Sequence, residues 1–134
     1  MATQNRSFRT PRANVTGLGA AHHGTEHFWR QRLTALANAL LIIPFLWILA
    51  AAYGRDYASA AAIVSHPCSA VVLLLLVVSV AIHMRIGMTV VIEDYLPNRA
   101  QRVVAVIANT FFCAAVGLVG VFAIVKLSVG RLLL

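Results

Sequence analysis

Three stretches of the chain are apolar for long enough to cross a lipid bilayer as helices. A transmembrane helix needs about 20 mostly apolar residues, and Leu33–Tyr53, Ser69–Ile92 and Val103–Val125 all meet that length. Together they take about half of the 134 residues, which leaves too little chain for a soluble catalytic domain. The sequence therefore predicts an all-α integral membrane protein with three transmembrane helices.

The composition indicates that lipid is the solvent for much of the chain. Hydrophobic residues make up 60% of it, charged residues only 11%, and the formal net charge is +7. In a soluble protein that charge would raise the question of nucleic acid. Here most of the basic residues flank the apolar stretches, so we expect membrane lipids and no nucleic acid as partners.

The basic residues are divided unevenly between the two sides of the predicted membrane. Seven lie before the first span or between the second and third, whereas three lie on the other side. Because cytoplasmic loops are enriched in Lys and Arg, the N-terminus is predicted to be cytoplasmic. The seven are Arg6, Arg9, Arg12, Arg30, Arg32, Arg99 and Arg102, and the three are Arg55, Lys126 and Arg131.

The chain is predicted to have two parts, a flexible basic N-terminal tail (1–21) and a membrane anchor domain (22–134). The tail is polar, rich in Arg and free of acidic residues. It contains no apolar core before a cleavage site, so it is not a secretory signal peptide. A short organellar transit peptide is the alternative to a solvated tail.

Small residues are concentrated on the third span, at Ala114, Ala115, Gly117 and Gly120. Small side chains allow the backbones of two membrane helices to come close together. We therefore expect another helix to pack tightly against this span.

The second span contains a histidine and an arginine, His83 and Arg85. Ionisable residues at membrane depth are costly and are therefore candidates for function. His83 is either a hydrogen-bonded structural residue or a metal ligand, and Gly87, one turn further on the same face, leaves space for the edge of a porphyrin. Haem iron in electron-transfer cytochromes normally has two axial ligands. Since no other histidine lies at membrane depth, a second ligand would come from another protein chain.

The ends of the first two spans contain further candidates. Asp94 lies three helical turns from His83 on the same face, about 16 Å along the axis, and the hydroxyl of Tyr95 can donate a hydrogen bond to a carbonyl oxygen. An ordinary interfacial tyrosine beside acidic residues is the alternative. Arg32 either binds anionic headgroups or meets an acidic group of a cofactor, and Arg85 either extends to the membrane surface or pairs with a propionate or a partner's carboxylate.

Two of these segments resemble a known family. His83-Met84-Arg85-Ile86-Gly87-Met88 followed by Glu93-Asp94-Tyr95 resembles the second-helix signature H-x-x-x-G-M...[ET]-D-Y of the small, cytochrome b-type hydrophobic membrane anchor of succinate dehydrogenase. The segment 24–35 is similar to the residues that precede the first span in the bacterial form. The resemblance covers roughly residues 22 to 127.

The resemblance implies a non-catalytic subunit of a succinate:quinone oxidoreductase, respiratory complex II. It pairs with a second three-helix anchor, of the cytochrome b556 type, as half of a heterodimeric helix bundle, and the two anchors share one haem b. His83 stands at the axial-ligand position, Asp94 and Tyr95 at the ubiquinone site, and Arg32 near the haem propionates. FAD and the iron–sulfur clusters belong to the flavoprotein and iron–sulfur subunits, with no ligands in this chain.

Two other functions are compatible with three apolar spans. A non-redox scaffold or assembly protein would be colourless and would give no reason for His83, Gly87 and Asp94 on one face. A proton-coupled exporter usually needs an acidic residue within the bilayer, whereas all four acidic residues lie outside the spans or at their ends. We expect a bacterial inner membrane protein rather than a mitochondrial one, because no long presequence is present.

Overall fold

Four helices make up the part of the chain that the structure, a computed structural model, describes, residues 24–132. They are α1 (Gly24–Ala52), α2 (Tyr57–Ser65), α3 (Pro67–Tyr95) and α4 (Arg99–Leu132). Within these residues there is no β-strand. The predicted tail, 1–21, lies outside the described residues.

Three of the helices are long and apolar enough to cross a membrane. The candidate spans are Phe28–Ala52, Pro67–Tyr95 and Arg99–Gly130, which confirms the predicted all-α membrane fold. Two of them extend beyond the predicted stretches at both ends, and the first begins five residues earlier than predicted. A helix continues through the interfacial region, where polar side chains reach water while the backbone hydrogen bonds stay within the helix.

The short helix α2 is the one element that the sequence did not predict. It has nine residues, too few to cross the hydrocarbon layer. Asp56 caps its first turn, because the carboxylate accepts a hydrogen bond from the Ser59 amide at 3.2 Å. Gly54, with φ of 72°, ends α1 just before it, in a conformation that favours glycine.

The turn between α3 and α4 is fixed by hydrogen bonds at both ends. Leu96 has an extended backbone, as expected for the residue before a proline. The Arg102 guanidinium donates twice to the Leu96 carbonyl, at 3.1 and 2.9 Å. Asn98 caps the start of α4 by accepting from the Ala100 amide at 3.0 Å.

Helix α3 lies between α1 and α4, which make no contact with each other within the described residues. Against α4 it packs very closely. A Cβ added at Gly120 would lie 2.8 Å from Val77 Cγ1, and one added at Gly117 would lie 3.2 Å from Ala81 Cβ. The close approach predicted for the small residues of the third span is therefore confirmed at these two glycines.

A buried asparagine also joins α3 to α4. The Asn109 amide donates to the Arg85 carbonyl at 3.0 Å and to Thr89 Oγ1 at 3.3 Å. Its oxygen accepts from the Cys113 thiol at 3.3 Å, and Cys113 is fully enclosed. Both polar atoms of this amide thus have partners, so the α3–α4 interface is closed and its polar group is satisfied.

Most apolar side chains, in contrast, are exposed on the surface of the chain. Trp47 is 79% exposed and Phe111 72%. The buried apolar residues are few, and within the described part of the chain all of them lie on α3 and α4: Ala70, Leu76, Ile86, Ile92 and Cys113. Such a surface needs lipid or another membrane protein to cover it.

Candidate functional site

The interface between α1 and α3 contains a row of polar side chains, which we call the polar seam. Gln31, Thr34 and Asn38 lie on one face of α1 because they are spaced three and four residues apart. Ser79 and His83 face them from α3. The polar seam therefore brings the predicted haem ligand into contact with the first span.

His83 is held to the first span through Thr34. Its Nδ1 lies 3.0 Å from Thr34 Oγ1. The same hydroxyl lies 2.8 Å from the Arg30 carbonyl oxygen and 3.1 Å from that of Gln31. One turn before His83, Ser79 Oγ donates to the Thr34 carbonyl at 3.4 Å. Within residues 24–132, Nε2 of His83 has no hydrogen-bond partner.

Two amide oxygens of the polar seam are buried without a partner in the described part of the chain. They are Oε1 of Gln31 and Oδ1 of Asn38. A buried acceptor without a hydrogen bond costs about 1–3 kcal/mol. Such atoms are expected where the site is completed by a ligand, by water or by a second protein chain.

A groove of about 360 Å³ opens beside the polar seam, toward the start of α1. Its wall is mostly apolar and includes two polar side chains, Gln31 and Arg32. The lining residues are Phe28, Gln31, Arg32, Ile86, Gly87 and Val90. A pocket of this kind, apolar with a few polar groups, is typical of cofactor sites.

Gly87 forms part of this groove, but the space beside it is not empty. A Cβ added there would lie 3.2 Å from Gln31 Nε2. The absent side chain thus admits the Gln31 amide as well as leaving the groove open. The fit for a flat group depends on both residues, because the Gln31 side chain can rotate whereas the Gly87 backbone cannot.

Arg32 lies at the rim of the groove and is exposed. Its guanidinium carbon lies 4.4 Å from the centre of the Phe28 ring, a cation–π contact that holds the charge beside the groove. A fixed guanidinium is well suited to bind a carboxylate.

Arg85 lies beside a different cavity between the same two helices. This cavity has a volume of about 260 Å³ and is lined by Arg30, Ile82, Arg85 and Ile86. Arg30 pairs with Glu26 on its own helix. His83 does not line this cavity, which agrees with the angle of about 200° between His83 and Arg85 on the helix.

Asp94 and Tyr95 lie at the end of α3 and are both exposed, Tyr95 to 81%. Neither residue lines the groove. Within the described residues neither side chain forms a hydrogen bond. The structure thus places His83 in contact with Thr34, and Arg32 in the same groove as Gly87. Asp94 and Tyr95 lie apart from both pairs.

The sequence did not identify Thr34, Gln31 and Ser79 as part of a site. A signal was present, because the spacing of 31, 34 and 38 places three polar side chains on one face of an apolar helix. Counting ionisable residues alone misses such neutral groups.

Comparison with known proteins identifies the family of this chain. The profile of the family described as "Succinate dehydrogenase/Fumarate reductase transmembrane subunit" matches residues 6–117. The chain is 30% identical over 123 residues to the succinate dehydrogenase hydrophobic membrane anchor subunit of Paracoccus denitrificans, covering 92% of this chain and 95% of that protein. It is also 30% identical over 108 residues to the protein of the same name from Rickettsia bellii, covering 78% and 84%. No solved structure matches. The chain belongs to the family of transmembrane subunits of succinate dehydrogenase and fumarate reductase.

Proposed function

We propose that this chain is the hydrophobic membrane anchor of a bacterial succinate dehydrogenase, non-catalytic by itself. Its role is to hold the complex at the inner membrane and to help deliver electrons from succinate oxidation to ubiquinone. Two relatives with that name, one of them matched over 95% of its length, support this role. The single observation that carries the proposal is His83, a histidine at membrane depth whose Nδ1 is held by Thr34 and whose Nε2 has no hydrogen-bond partner within the described residues.

The proposed partners are a second membrane anchor of the cytochrome b556 type, an iron–sulfur subunit and a flavoprotein subunit. The apolar faces of α1 and α4 are exposed, and these helices do not contact each other in the described part of the chain, which supports a membrane partner that covers them. This chain would then form half of a heterodimeric helix bundle. Its N-terminus would lie in the cytoplasm, with seven of the eleven basic residues on that side.

The residues of the polar seam fit a haem b shared between two anchors. His83 would supply one axial ligand through Nε2, and a histidine of the partner anchor would supply the other. Arg32 at the rim of the groove would bind a propionate, and the edge of the ring would lie beside Gly87 after the flexible Gln31 side chain rotates away. When bound, haem b supplies a one-electron carrier within the membrane.

The end of α3 would form part of a ubiquinone site. Tyr95 would donate its hydroxyl hydrogen to a quinone carbonyl, and Asp94 would take part in proton uptake when the quinone is reduced. Both side chains are exposed at the predicted cytoplasmic end of the helix, where one of the soluble partners can cover them. Neither side chain forms a hydrogen bond among residues 24–132, which supports a ligand or partner at this position.

The haem proposal is tested by the optical spectrum of the purified complex before and after reduction with dithionite. We expect a b-type spectrum in the wild-type complex and its loss in His83→Ala. His66→Ala is the matched control, because His66 is exposed and its side chain makes no capping hydrogen bond. A wild-type complex without b-type bands would refute the haem role, and an unchanged spectrum in His83→Ala would refute the ligand role.

The quinone proposal is tested by the succinate:quinone reductase activity of Tyr95→Phe. Loss of one hydrogen bond of about 1 kcal/mol lowers kcat/KM for the quinone about fivefold. Tyr53→Phe is the control. Tyr53 is similarly exposed, at 88%, but it follows the end of α1, on the side of the membrane opposite to the predicted cytoplasmic side. Equal activity in the two variants would contradict the assignment, and wild-type activity in Asp94→Asn would remove Asp94 from proton uptake.

A further inference from the structure

The hydroxyl of Thr34 is the centre of a small hydrogen-bond cluster that determines where the histidine proton lies. Three polar atoms surround Oγ1: the Arg30 carbonyl oxygen at 2.8 Å, the Gln31 carbonyl oxygen at 3.1 Å and His83 Nδ1 at 3.0 Å. A hydroxyl has one hydrogen to donate and two lone pairs that accept. The cluster is therefore satisfied only if one of its neighbours donates.

The two carbonyl oxygens can only accept, so the hydroxyl hydrogen points toward them. If it pointed to His83 instead, the hydroxyl oxygen and the Arg30 carbonyl oxygen, 2.8 Å apart, would face each other with no hydrogen between them, which is repulsive. The lone pairs of Oγ1 are thus left for the imidazole. Nδ1 must carry a hydrogen and donate it to Thr34.

We propose that Thr34 is a positioning residue, which holds His83 with the hydrogen on Nδ1 and the lone pair on Nε2. The inference rests on the proposed function, because the lone pair matters only if Nε2 binds haem iron. When a histidine binds a metal through one ring nitrogen, a hydrogen bond donated by the other ring nitrogen fixes the tautomer and orientation of the ring and raises its basicity. A more basic ligand stabilises the oxidised iron, so Thr34 lowers the reduction potential of the haem.

The surroundings of Thr34 keep this geometry rigid. Threonine is β-branched, with few χ1 rotamers in a helix, and its hydroxyl is tied to the preceding turn by the same hydrogen that it donates. Ser79 Oγ binds the Thr34 carbonyl at 3.4 Å, which joins the two helices again one turn from His83. The orientation of the imidazole is therefore set by the first span as well as by its own helix.

The experiment compares the assembled complex containing Thr34→Val, Thr34→Ala or Thr34→Ser with wild type. We expect the first two to raise the midpoint potential of the haem and to shift the electron paramagnetic resonance signal of the oxidised iron. Retention of haem should weaken, by about 10- to 100-fold for loss of an outer-shell partner. Serine keeps the hydroxyl and should restore the wild-type values.

Thr110→Val is the matched control. Thr110 is also half-buried and its hydroxyl also bonds the preceding turn, at 2.9 Å from the Val106 carbonyl, but it does not contact a histidine. It should leave the potential and the signal unchanged. An unchanged potential in Thr34→Val and Thr34→Ala would overturn the inference, and so would failure of both to assemble while Thr34→Ser assembles, because the hydroxyl would then hold the helices together.

Different results would refute the role of Thr34 and the haem role of His83. If the wild-type complex has no haem, or if His83→Ala keeps its spectrum, the haem role in the proposed function fails and the inference fails with it. If His83→Ala abolishes the spectrum while the Thr34 variants match wild type, only the role of Thr34 is wrong. A raised potential in Thr34→Val that serine reverses supports both.

Discussion

Helix α3 makes two interfaces, and they differ in how their polar groups are satisfied. At the α3–α4 interface, both polar atoms of Asn109 have partners and two glycines bring the helices into close contact. At the polar seam with α1, two amide oxygens are buried without partners among the described residues, and two cavities open alongside. Polar groups at membrane depth thus serve two purposes in one chain. Those of the first interface are all satisfied within it, whereas those of the second join the helices through Thr34 and also include two amide oxygens without partners among the described residues.

The largest expected effect is a loss of stability in Gly120→Leu, which changes the closely packed α3–α4 interface. Val77 is β-branched and stiff, so it cannot move away from a side chain whose Cβ lies 2.8 Å from its Cγ1. Overpacking of this kind costs about 1–3 kcal/mol. The measurement is the free energy of unfolding in mixed micelles. Gly130→Leu is the control because nothing lies within 4 Å of its added Cβ, and equal stability of the two variants would show that the α3–α4 interface is not closely packed.

A smaller effect is expected from a matched pair, Gly117→Ala and Gly87→Ala. An added Cβ would meet its nearest neighbour at 3.2 Å in both cases, but the neighbour is Ala81 Cβ at Gly117 and the end of the flexible Gln31 side chain at Gly87. Gly117→Ala should therefore lower the free energy of unfolding, by about 1 kcal/mol, without changing the haem spectrum.

Gly87→Ala should change the haem spectrum with little change in the free energy of unfolding, because Gln31 can move into the groove at little cost in stability. Its effect should appear as a shifted spectrum or a lower haem content of the complex. Absorbance and thermal unfolding of the same samples give both quantities. The distinction between the two interfaces is wrong if both variants change the same property.

The smallest effect is expected at Asp56, which lies outside both interfaces. Hydrogen bonds from the Ser59 hydroxyl and amide lower the pKa of this exposed carboxyl. The cap therefore stabilises α2 fully above the ordinary pKa of aspartate and loses its effect as the pH falls through the lowered value. As the pH falls through that range, the amide exchange rate of Ser59 should rise relative to the rate in Asp56→Asn. That variant keeps a capping side chain that does not titrate. The same pH dependence in both variants would exclude the carboxylate as the cause.

The sequence predicted the three spans and the close approach at Gly117 and Gly120, because both follow from apolar length and residue size. It did not predict α2, whose nine residues continue an apolar pattern without a separate signal. It identified His83 because a titratable group in an apolar span is conspicuous. The contact with Thr34 could not be predicted, since it joins residues 49 positions apart and depends on the rotation of both helices.

An experimental structure of the purified complex, at a resolution that shows side chains, would test directly whether the polar seam holds haem. We expect a planar macrocycle bound to Nε2 of His83, with Thr34 Oγ1 within hydrogen-bond distance of Nδ1 and the edge of the ring beside Gly87. A macrocycle bound elsewhere, or a polar seam filled only by side chains of the partner anchor, would contradict it.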